Sequence, residues 1–105
     1  MIKEEDKAGT DYKDVPLFYH NSIKFGVMKE LDNFTLTEIR SKLREEYLEV
    51  MAESDDDLDK LVPELFDVMQ VGYTYLLKLQ EEGKIIMENE NIKHLEKLNK
   101  RGYIK

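Results

Sequence analysis

The chain has 105 residues, 41% of them apolar and 37% charged, with a formal net charge of −7 and neither cysteine nor tryptophan. That length and apolar share suit one helical domain with a single core, and the missing cysteines exclude disulfide frameworks and thiolate metal sites. No run approaches the ~18 consecutive apolar residues of a membrane span, and the N-terminus lacks the apolar centre of a signal peptide. A cytoplasmic protein with no membrane partner is expected.

The excess acid lies in one block. Residues 45–67 hold ten acidic side chains and one basic one, Lys60, for a net −9, whereas residues 1–44 are balanced and residues 68–105 carry a net +2. Charges separated by more than a Debye length of about 8 Å are largely screened. A basic surface elsewhere on the molecule therefore remains able to meet phosphate.

Residues 1–13, MIKEEDKAGTDYK, are polar and mixed in charge and read as a flexible tail, leaving a single domain over 14–105. Asp14-Val15-Pro16 is a helix entry. A helix over 16–31 follows, with Tyr19, Ile23, Val27 and Leu31 repeating every fourth residue, Phe18, Phe25 and Met28 widening the face, and Gly26 permitting a close helix contact. Asp32-Asn33 is a turn.

Thr35 and Glu38 form a capping-box pattern, in which hydroxyl and carboxylate each accept from the other residue's backbone N–H. Leu36, Ile39, Leu43, Tyr47, Val50 and Met51 mark the apolar face of a second helix ending near Glu53. SDDDLD (54–59) reads as an acidic loop with one helical turn, because adjacent aspartates repel and Pro63 disfavours a helical Val62.

From Pro63 the pattern predicts a third helix whose core track is Leu65, Met69, Tyr73, Leu76 and Gln80. Gly83 supplies a left-handed helix stop, and Lys84-Ile85-Ile86-Met87 suits a strand. Glu88 to Asn91 is a turn, and Ile92, Leu95 and Leu98 mark a last helix stopped by Gly102 before Tyr103-Ile104. LKLQEEGKI (77–85) and EKLNKRGYI (96–104) share Lys, Leu, Gly and Ile, which predicts the same helix-glycine-strand ending twice. The two strands are expected to pair as a ribbon.

A helix ending in L-x-x-L-x-x-x-G-x-I (Leu76 to Ile85) and running into a strand, with FTLTEI (34–39) before the preceding helix, resembles winged-helix DNA-binding domains. The resemblance covers about two-thirds of the chain. It implies a mainly α, winged-helix-like fold of about four helices with a small β-ribbon. It also implies a small DNA-binding transcription regulator, expected as a homodimer because two-fold sites are the usual solution for a small reading head.

The residues offered for duplex DNA are Gln70, Thr74, Tyr75 and Lys78 on the polar face of the third helix. Gln reads base edges, Thr and Tyr bond phosphate, and Lys neutralises it. Lys93, Lys97, Lys100 and Arg101 form a basic stripe on the last helix. Against this stands a second reading, an acidic interaction module that docks on a partner protein through residues 45–67.

His20 and His94 lie on different predicted helices, no nucleophile motif surrounds any serine, and no phosphate-binding glycine loop is present. Neither an enzyme, a metal site nor a cofactor is expected.

Overall fold

The computed structural model describes residues 24–104. The chain divides into two compact units: residues 25–85, and a second that contains residues 86–105.

In the first unit residues 25–28 are not helical, Leu31–Asn33 forms one 3-10 turn, and two long helices follow. Helix α1 spans Leu36–Ala52. Its capping box is formed as the sequence predicts: Glu38 N–H donates to Thr35 Oγ1 at 3.1 Å, and Thr35 N–H donates to Glu38 Oε1 at 2.8 Å. Two of the four N–H groups left over at the helix start are thereby satisfied, which fixes where the helix begins. A short turn joins it to α2, with Asp56 N–H donating to Ser54 Oγ and Asp57 N–H to Ser54 O.

Helix α2 spans Leu58–Glu81, beginning five residues before the expected Pro63 start and carrying that proline inside it. Pro63 lacks the N–H that would reach the Asp59 carbonyl, one hydrogen bond in a helix of 24 residues. Contacts along both sides of the proline hold the early turns, so Val62 stays helical against its local preference.

The expected β-ribbon is not formed. Among the described residues there is no strand, and the architecture is all-helical. The reason lies at the glycines. Gly83 has φ +74°, its N–H donates to Gln80 O, and Lys84 N–H donates to Leu79 O. These two bonds make a Schellman stop, as the glycine predicts. Only Lys84 to Ile86 then remain before helix α3, Met87–Lys100, starts, so the expected turn over 88–91 is helical instead.

At the far end of α3, Gly102 repeats the stop with φ +73°, donating to Asn99 O while Tyr103 donates to Leu98 O. The internal sequence echo therefore encodes one helix stop used twice. The strand half of the echo fails because three residues, or two, cannot form a ladder without a paired partner. With no hairpin there is no wing. The expected helix over 16–31 lies mostly outside the described residues; within them, residues 24–28 are not helical and only the 3-10 turn at Leu31 follows.

Candidate interaction surface and carboxylate cluster

α1 and α2 pack against each other as an antiparallel hairpin. On α1 the packed line is Leu36, Ile39, Leu43, Glu46 and Val50, continued by the C-cap Glu53. On α2 it starts at the N-cap Asp57 and runs through Leu61, Glu64, Val68, Val71, Tyr75 and Lys78, all buried or half-buried. Both lines step by alternating threes and fours, the spacing of a coiled-coil seam. Arg40 ties one end, with its Nε donating to Tyr75 Oη at 3.0 Å and its guanidinium 6.0 Å from the ring centroid.

This seam reverses the expected orientation of α2. Leu65, Met69 and Leu76, read as core, are exposed, and so are Tyr47 (54%) and Met51 (64%) on α1. Thr74 and Lys78, read as outward, are 6% and 7% exposed. Lys78 Nζ donates to the carbonyls of Leu31 at 3.0 Å and Asp32 at 3.3 Å, tying the 3-10 turn to α2.

Gln70 pairs with backbone at two points: its Nε2 donates to Gly26 O at 2.8 Å, and Gly26 N–H donates to its Oε1 at 3.0 Å. Thr74 Oγ1 donates back to Gln70 O. Gly26, expected to permit a close helix contact, has open space where a Cβ would stand. Phe25 stacks on Tyr73 with ring centroids 5.7 Å apart. The polar set offered for base reading thus holds the 25–32 segment against α2.

The basic residues of α3 are placed differently. Lys93, Lys97, Lys100 and Arg101 are all exposed, opposite buried Leu95 and half-buried Ile92 and Leu98, as the periodicity predicts. Lys93 pairs with Glu90 at 3.1 Å.

Beside the inner seam α2 carries a second one. Leu58, Val62, Leu65, Met69, Gly72, Leu76 and Leu79 step 4-3-4-3-4-3 along the helix, one residue out of register with the inner line. Its large side chains are 37% to 61% exposed from Leu58 to Leu76, and Phe66 widens it. A continuous apolar strip of this length is more than scattered surface hydrophobics.

A second feature lies within the hairpin. Glu46 and Glu49 on α1 face Glu64 and Asp67 on α2. One carboxylate oxygen each from Glu46, Glu64 and Asp67 fall within 4.8 Å of one another. Glu46 is 6% exposed, and Oε2 of both Glu46 and Glu64 is buried with no donor while all the carboxylates are ionised. Lys42 answers part of this charge, with Nζ 2.7 Å from Glu45 and 3.1 Å from Glu46.

Facing carboxylates of this kind share a proton or hold a cation. Contact with Glu46 first, and Glu64 second, pushes the Glu49 carboxyl up to about 7. The bond from Glu49 holds Glu46 below its ordinary range. Protonated Glu49 then supplies one donor, which goes to Glu46.

No family model, curated protein or solved structure matches the chain. No helix among the described residues is long and apolar enough to cross a membrane.

Sequence reasoning missed the open seam and the cluster. Two signals were present. Residues 58 to 79 hold an unbroken heptad pattern, and Glu46 occupies a position in the 36-39-43-46-50-53 line where an apolar residue is the rule.

Proposed function

We propose that the 25–85 hairpin is a protein-docking module whose contact surface is the outer seam of α2. The observation that carries this is a helix with two adjacent coiled-coil seams, one occupied by α1 and one open to solvent. A lone soluble hairpin gains nothing by displaying a heptad strip in water, whereas burying it stabilises a complex by about 25 cal/mol for each Å² of apolar area.

The acidic block adds steering. Seven exposed large apolar side chains, Tyr47, Leu48, Met51, Leu58, Val62, Leu65 and Phe66, lie within the same 45–67 segment that carries net −9. A helix with an apolar stripe and basic flanks would meet complementary chemistry there. The duplex-DNA reading retains the exposed stripe Lys93, Lys97, Lys100 and Arg101. On α2 its residues Gln70, Thr74 and Lys78 are occupied by bonds within the unit.

A labelled amphipathic Leu–Lys helical peptide, its scrambled counterpart and a random duplex DNA, titrated by fluorescence polarisation, test the reading. The amphipathic peptide should bind with micromolar affinity and lose at least tenfold on Met69→Lys. Equal binding of the scrambled peptide, or binding unaffected by Met69→Lys, overturns it. Tighter binding of the duplex, lost on changing Lys93 and Lys97 to Ala, would favour DNA.

A further inference from the structure

The outer seam of α2 has a property that a generic docking strip need not have: it is compatible with itself. From Leu58 to Leu79 its line contains no charged side chain, so a second negatively charged chain can approach without burying like charges. A helix of 24 residues is about 36 Å long. The seam's midpoint falls at Met69. Helical periodicity places Leu65 and Gly72 on one flank of that midpoint, and Phe66 and Tyr73 on the other.

An isologous contact requires that each residue meet a fitting partner twice. A two-fold axis crossing the seam at Met69 meets that demand. It sets Leu65 of one copy beside Gly72 of the other, where the missing Cβ leaves open space. On the other flank it sets Phe66 beside the Phe25–Tyr73 stack of the other copy. Val62 and Leu76 close the ends of the strip.

Charge selects the direction. Asp55, Asp56, Asp57 and Asp59 all stand at the start of α2. Parallel pairing would bring these four aspartates of each copy together. Antiparallel pairing separates them by about the 36 Å helix length, several Debye lengths of about 8 Å, and brings each cluster to an end where Glu81 and Glu82 are offset by Lys78 and Lys84.

We infer that a second copy of this chain covers the seam, α2 against α2 in antiparallel register about Met69, so that two hairpins close into a four-helix bundle. The inference rests on the docking reading of the seam, and takes a second copy as the occupant in place of the basic-flanked helix. The strip, about 36 Å by about 10 Å, is on the order of 400 Å² per copy. That is about half the ~800 Å² per partner of a standard interface, so the dimer is a weak one that forms as the concentration rises.

The full chain lacks cysteine, which makes a single introduced thiol a clean reporter. Sedimentation equilibrium from low micromolar to near-millimolar concentration should show the mass rising to twice the monomer's, with Met69→Glu remaining monomeric. Over the same range the thiol of Met69→Cys should become protected from a maleimide at least tenfold, while Thr37→Cys on the outside of α1 labels at a constant rate. A monomer throughout, with Met69→Cys labelling as fast as Thr37→Cys, overturns the second copy and leaves the docking surface standing. A monomer in which Met69→Cys is protected at every concentration overturns both, because the chain then covers its own seam. A dimer that survives Met69→Glu places the contact elsewhere and overturns the inference.

Discussion

The ammonium of Lys78 lies 3.0 Å from the carbonyl oxygen of Leu31, 47 residues earlier in the chain, and only 7% of the residue is exposed. A helix near the middle of the chain and a 3-10 turn ahead of α1 are joined by a cation that serves as a hydrogen-bond donor to backbone. Hydrogen bonds to charged groups contribute about 1.5–3 kcal/mol, and orphaned buried carbonyls carry a further cost.

Lys78→Ala should therefore lower the urea-unfolding free energy by about 1–3 kcal/mol. Lys84→Ala, at an exposed position, should shift it by less than about 0.5 kcal/mol. Equal, small effects at both positions would return Lys78 to the outward face that α2's polarity pattern alone suggests.

That contrast shows where the sequence was legible and where it was not. Local chemistry was readable: the Thr35–Glu38 box starts α1, and Gly83 and Gly102 end α2 and α3 in left-handed conformations. Each of these depends on residues within one helical turn, so no tertiary information was needed.

The rotation of α2 was not readable, because two apolar lines run along it one residue apart. Leu61, Val68 and Val71 serve the inner seam, and Leu65, Met69 and Leu76 serve the outer. The stronger line was the natural core, yet the weaker one packs on α1. The β-ribbon was misread for a related reason. Lys84-Ile85-Ile86-Met87 has strand propensity, but strand propensity is realised only where a neighbouring strand supplies hydrogen bonds. The carboxylate cluster was hidden because its members come from two helices, and single acids on a charged chain carry no signal of their own.

The cluster makes a pH prediction at Glu49. Its folded carboxyl titrates at about 7, above its ordinary value of 4.5, so between these values the folded state binds more protons than the unfolded one. Stability must then fall as pH rises through that window and be lowest above it. Glu46 is shifted the other way, and its contribution is lost only as pH falls below its ordinary range. The thermal midpoint should rise on moving from mildly alkaline to mildly acidic buffer, and Glu49→Gln should flatten this rise while raising the alkaline midpoint. A parent midpoint that holds steady or drops across the same interval would mean the carboxylates do not share a proton.

Which face of α2 is inside is read directly by one comparison: urea unfolding of Met69→Lys beside Val71→Lys, two substitutions to lysine two residues apart. Val71 is half-buried on the line packed against α1, and Met69 is exposed on the open seam. Burying a charge without a partner is among the few changes that cost several kcal/mol, whereas substitutions at exposed positions stay within about 0.5 kcal/mol. Met69→Lys should unfold near the parent's midpoint in dilute solution, and Val71→Lys should lose at least about 2 kcal/mol. The reverse order, with Met69→Lys unfolded and Val71→Lys intact, would put the outer seam in the core and contradict the docking surface.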